Sequence, residues 1–256
     1  MSTSWYTASV QQTGVATVFL LALLTALATG LGALPFAFAK HPTRRWLGAS
    51  NAVAAGLMLS ASFGLIYEGV NHGLFRTLAG ALLGLAFIVA ARRLLRQDEH
   101  PAVFAGMGGL DARKALLIVG VMTLHSFTEG VAIGVSFGGG EALGLFISLA
   151  LAVHNIPEGL AISLVLVPRG VGWVRAAWWS IFSSLPQPLM AVPAFLFVEV
   201  FRELLPYGLG FAAGAMIWMV FSELVPDALE EASENLIAVV ITLSIVAMVA
   251  FQVLIR

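Results

Sequence analysis

Runs of about twenty apolar residues, separated by short polar breaks, recur along the whole chain and restrict its fold more than any other feature. A helix of that length crosses the hydrocarbon core of a bilayer, about 30 Å. Inside lipid every backbone N–H and C=O must be satisfied internally, which a helix does within its own segment. Eight such runs can be placed, over residues 14–39, 50–70, 74–95, 115–137, 142–167, 173–200, 206–224 and 236–254. The expected fold class is all-α: a polytopic membrane protein with eight transmembrane helices. With 59% hydrophobic and 11% charged residues, the 256-residue chain lacks the polar surface of a soluble domain of its size.

The breaks are short, as in Gly138-Gly139-Gly140-Glu141 and Pro168-Arg169-Gly170, which do not readily continue a helix. The one longer connector, residues 96–114, contains Gln97-Asp98-Glu99-His100-Pro101 and several glycines and reads as a loop rather than a domain. Residues 1–256 are therefore expected to form a single integral membrane domain. Assigning Lys and Arg to alternate sides puts Lys40, Arg44, Arg45, Arg92, Arg93, Arg96, Arg113, Lys114, Arg169 and Arg175 on one side, and Arg76, Arg202 and Arg256 on the other. Under the positive-inside rule the first side is cytoplasmic, with both termini on the opposite side and the 96–114 connector inside. Ala37-Phe38-Ala39 resembles a signal-peptidase site. No positive charge precedes it, however, and Lys40, Arg44 and Arg45 follow, so the segment is expected to remain a helix. The net charge of −1 gives no reason to expect nucleic acid, and the absence of cysteine excludes thiolate metal sites and disulfides.

Two motifs inside apolar runs carry the chemistry: His125-Ser126-Phe127-Thr128-Glu129-Gly130 and His154-Asn155-Ile156-Pro157-Glu158-Gly159. In each, His precedes Glu by four residues, so on a helix the two side chains share a face. An ionisable group at membrane depth costs roughly 2.5–3.5 kcal/mol even on a lenient scale, so four of them call for a functional reason. Two carboxylates and two imidazoles suit one divalent transition metal of the zinc or iron type; calcium would want more oxygens. His, Glu, Gly, Ala and Ile recur between the motifs at an offset of 29 residues, on consecutive spans that run antiparallel. Such a pair suggests a pseudo-two-fold arrangement around one site. Pro157 should kink its helix and free the Val153 carbonyl. In the sixth span, Ser183-Ser184-Leu185-Pro186-Gln187-Pro188 places polar groups and two prolines mid-membrane; Gln187 can serve as an amide ligand or as an interhelical hydrogen-bond partner. Glu223, near the cytoplasmic end of the seventh span, can act as a relay ligand or reach for the interface. Small-residue pairs such as Gly80 with Gly84 and Gly210 with Gly214 point to close helix packing more than to a dimer contact.

HSFTEGVAIG and HNIPEGLAIS resemble the fourth and fifth transmembrane helices of the ZIP (Zrt-, Irt-like) metal transporters, and the likeness extends through SSLPQPLMAVPAF and FAAGAMIWMVFSELVPDA. The resemblance implies a three-two-three arrangement of eight helices, usually a homodimer, moving zinc or related divalent ions such as iron, manganese or cadmium into the cytoplasm. The implied location is a bacterial inner membrane. By the same resemblance His125, Glu129, His154 and Glu158 match the ligands of the primary transport site. Ser126, Asn155 and Gln187 fall where some bacterial relatives place a second site. Here those positions carry no carboxylate, so a single strongly bound metal with these residues as auxiliary ligands is expected. The cytoplasmic loop offers only His100 beside Asp98 and Glu99, which makes a loop metal sensor doubtful. The metal is cargo rather than cofactor, and no enzymatic activity is expected. The rival readings are an intramembrane metal-dependent hydrolase, for which neither HExxH nor a free general base stands out, and a scaffold with a structural metal.

Overall fold

In the computed structural model the described residues are 14–38, 43–97, 109–200 and 202–254, and among them no strand occurs. Helix α1 (Val15–Thr29) continues through a 3-10 turn, Gly30–Ala33, into the short α2 (Pro35–Phe38). Then follow α3 (Arg44–Gln97), α4 (Gly109–Gly138), α5 (Glu141–Leu166), α6 (Trp173–Ser184) and α7 (Pro186–Val200). The chain closes with α8 (Leu205–Met219), a π-helical turn Val220–Leu224, α9 (Val225–Glu231) and α10 (Glu234–Leu254). Most of the 96–114 connector, with His100, Asp98 and Glu99, lies outside the described residues, as do Lys40 and Arg256.

Six helical stretches among the described residues are long and apolar enough to cross a membrane: Val15–Phe38, Arg44–Arg93, Glu141–Arg169, Trp173–Val198, Leu205–Glu231 and Glu234–Leu254. The polarity of the molecule fits that setting. Phe75, Leu82, Trp178, Leu189 and Leu243 point outward, while His125, Glu129, Asn155, Glu158 and Gln187 are buried. A soluble protein inverts this distribution.

A continuous α3 of 54 residues would be about 81 Å long, far more than a bilayer spans. It leaves helical geometry once, at Gly73 (φ 159°, ψ 104°). A Cβ on Gly69 would lie 2.8 Å from Cγ2 of Thr77, although eight helical residues would separate the two by about 12 Å. The chain therefore folds back on itself at Gly73. The tight α4–α5 connection turns at Gly140, whose φ of 120° no L-residue readily adopts. It sets α5 antiparallel beside α4.

Pro157 lies inside α5, which runs as one helix from Glu141 to Leu166. An interruption falls in the sixth span, between α6 and α7. There Pro186 is the first residue of a new helix, a position where its missing N–H costs nothing. The small-residue pairs pack within the chain: a Cβ on Gly84 would sit 1.9 Å from the Phe211 carbonyl oxygen, and one on Gly214 would sit 2.0 Å from that of Ala81. Backbone-to-backbone contact of this kind docks α3 against α8. Helix α4 packs mainly on α7 and α5, and α1 on α5 and α7, so the middle of α5 is enclosed on several sides.

Candidate metal site

His125 and Glu129 occupy one face of α4, and His154 and Glu158 one face of α5, each pair one turn apart by virtue of the four-residue spacing. The antiparallel packing turns these faces toward each other. One ligand atom from each of the four residues falls within 4.8 Å of all the others, and all four side chains are buried. Nε2 of His154 is 2.7 Å from Oε1 of Glu129, and Nε2 of His125 is 3.3 Å from the same oxygen. The imidazole centroids lie 5.8 Å apart.

Neither approach has hydrogen-bond geometry. Both nitrogens of each histidine, Oε1 of Glu129 and Oε2 of Glu158 are buried without a hydrogen-bond partner. Buried polar atoms left unpaired cost about 1–3 kcal/mol each, more for charged groups, so four converging residues in this condition need a common partner. Tetrahedral zinc, with bonds of about 2.0–2.1 Å, separates its donor atoms by about 3.4 Å. The observed separations, from 2.7 Å to a limit of 4.8 Å, bracket that value. The donor set, two imidazoles and two carboxylates, is one that zinc and other first-row divalent ions accept.

The residues expected beside the site are arranged unequally. Ser126 directs its hydroxyl at Oε1 of Glu158 over a long 3.5 Å. Asn155 donates from Nδ2 to the Thr25 carbonyl at 2.8 Å and to Oε1 of Gln187 at 3.1 Å, while its own Oδ1 has no hydrogen-bond partner. Gln187 accepts at Oε1 from Asn155 and from the Thr25 hydroxyl, the latter at 2.7 Å, and donates from Nε2 to Oε2 of Glu129. Its oxygen is thus engaged away from the four-residue group. Glu223 stands outside that group and pairs with Arg92 at 2.6 Å; the Arg92 guanidinium also lies 5.2 Å from the Trp218 ring centroid.

Sequence reasoning missed Thr25 and Thr29, and gave Ser184 and Arg92 no contact of their own. Thr25 and Thr29 are adjacent on one face of α1, four residues apart, and that spacing was the available signal. Thr29 shares a 2.8 Å hydrogen bond with Ser184. Beside the site, Gly159 meets the end of α1: a Cβ there would lie 1.7 Å from the Thr29 carbonyl oxygen, and a Cβ on Gly32 would lie 2.1 Å from the Leu160 nitrogen.

A bundle of long apolar helices whose buried polar residues converge on one point defines an integral membrane protein of the polytopic helical class. The family model described as ZIP Zinc transporter matches residues 97–252, and the chain belongs to that family. A protein of Arabidopsis thaliana, provisionally named as a zinc transporter, is 49% identical over 94% of this chain. Zinc transporter GufA of Myxococcus xanthus is 35% identical over 80% of it, and human Zinc transporter ZIP11 is 34% identical over 51%. The chain spans 39% of the Arabidopsis protein and 42% of ZIP11, but 86% of GufA. These relatives are named as zinc transporters.

Proposed function

We propose that this chain moves divalent metal ions, zinc foremost, across the membrane into the cytoplasm, with His125, Glu129, His154 and Glu158 replacing the hydration shell of the ion at mid-membrane. One observation carries the reading: four buried donor residues from antiparallel α4 and α5 lie within 4.8 Å of one another with their facing atoms unpaired. A transport site must bind well enough to strip water and weakly enough to release. Helices that dock through glycine contacts can shift as groups around such a site, as alternating access requires. Ser126, and Asn155 through its free oxygen, serve as auxiliary ligands; Glu223 lies on the exit side.

The same reading takes the chain as one eight-span domain in the three-two-three arrangement. Two features support the count: the fold-back at Gly73, which divides α3 into two arms, and the 30-residue length of α4. It places both termini outside, residues 96–114 in the cytoplasm, and the protein as a homodimer in a bacterial inner membrane. Static light scattering of the detergent-solubilised protein tests the dimer.

The decisive experiment measures radiolabelled zinc uptake into proteoliposomes for the natural chain and for Glu158→Gln. Uptake by the first and its loss in the second is the expected outcome. Zinc bound by the natural chain without uptake would sink the transport reading in favour of a structural metal. Iron, manganese and cadmium as competitors in the same assay rank selectivity, which ligand chemistry alone does not set.

A further inference from the structure

Gln187 reaches Glu129 through an amide whose direction is dictated from outside the metal group. The chain of bonds starts at a group that cannot reverse, the backbone carbonyl of Thr25. That carbonyl accepts from Asn155 at 2.8 Å, so the NH2 end of Asn155 must face α1. The same NH2 lies 3.1 Å from Gln187, which must present its oxygen there. The Thr25 hydroxyl, 2.7 Å from that oxygen, adds a second donor; its one proton is shared with the Ala22 carbonyl, also at 2.7 Å. With its oxygen held by Asn155 and Thr25, Gln187 has only its NH2 end left for Glu129, and it donates to Oε2. The other carboxylate oxygen, Oε1, is left facing His125 and His154. Reversing Gln187 would set oxygen against carboxylate at one end and NH2 against NH2 at the other.

We propose that Thr25 is a positioning residue for the metal group through its hydroxyl: together with Asn155 it holds the Gln187 oxygen and so fixes the Gln187 amide as a donor to Oε2 of Glu129, leaving Oε1 as the oxygen offered to the ion. The inference rests on the transport reading above. It extends the site to α1, which contributes no ligand, and makes Gln187 a support for a ligand rather than a ligand itself. All three supporting side chains are buried, so water does not substitute for a lost bond. Partners that orient metal ligands in this way change affinity by about 10- to 100-fold when removed.

The test compares Thr25→Val, Thr25→Ser and Thr29→Val in the full chain. Thr29→Val is the matched control. It removes a buried hydrogen bond of the same helix, to Ser184, that does not lead to Glu129. Zinc affinity is measured calorimetrically with zinc chloride on purified protein, alongside melting temperature and the concentration dependence of uptake. Thr25→Val is expected to weaken zinc binding and raise the half-saturating concentration about 10-fold or more. Thr25→Ser should restore both, and Thr29→Val should keep natural affinity while losing a similar amount of thermal stability. Natural zinc affinity in Thr25→Val, or equal weakening in Thr29→Val, overturns the proposal while leaving the transport reading standing. Failure of the natural chain itself to bind zinc overturns both.

Discussion

Replacing Gly159 with alanine tests the link between helix packing and the metal group most directly. The new Cβ would lie 1.7 Å from the Thr29 carbonyl oxygen, whereas carbon and oxygen pack at about 3.3 Å, so α1 and α5 must separate by about 1.6 Å at their crossing. The obstacle is backbone, and no side-chain rotation removes it. Overpacking of this kind costs about 1–3 kcal/mol. At about 2–4 °C per kcal/mol for a chain of this size, the melting temperature should fall by about 2–12 °C. Glu158 directly precedes the displaced residue, and the Thr25 and Asn155 contact bridges the same two helices, so the metal group should open as well. Scanning fluorimetry in detergent and proteoliposome zinc uptake measure the two effects. Gly172→Ala is the control, since nothing lies within 4 Å of a Cβ there. Gly159→Ala with a melting temperature within a degree of the natural chain, and with unchanged uptake, would refute the packing argument.

Zinc uptake should decline as external pH falls from 7.5 to 5.5 at constant free zinc, because protons compete for the same imidazoles and carboxylates; a flat profile would argue that these four residues do not bind the ion. Arg92→Met removes the cationic partner of Glu223 in a pair about one-fifth exposed and should cost about 1–3 kcal/mol, discounted for partial hydration, with part of the loss recovered in the Arg92→Met/Glu223→Leu double variant; thermal melts supply both figures. The Arg44 and Glu231 pair, at 2.8 Å, is by contrast open to solvent, and Arg44→Ala should leave the melting temperature almost unchanged in 150 mM salt.

How far the chain could be read in advance differs from element to element. The all-helical membrane class followed from run length alone, because hydrogen-bond satisfaction in lipid admits few alternatives. The two His-x-x-x-Glu motifs were legible because a four-residue spacing is a local property of a helix. Helix interruptions were less so. Pro157 and Pro186 look alike in sequence, yet α5 carries the first in its interior while the second begins α7. The difference lies in what surrounds them. The middle of α5 is packed against α1, α4 and α6, which holds it helical, whereas Pro186 lies in a Pro-Gln-Pro sequence whose Gln187 turns inward to Glu129.

Sequence by itself determined the all-helical membrane class, the faces carrying each His and Glu, and the chemistry those residues offer to a cation. Tertiary structure alone decided the rotation of α4 and α5 that closes four donors to within 4.8 Å, and the support reaching Glu129 from Thr25, which lies 162 residues from Gln187. Helical periodicity is set within each segment by backbone geometry. The mutual rotation of segments is set by glycine contacts and buried hydrogen bonds between distant residues; a four-residue spacing marks the face that packs but not the partner it meets.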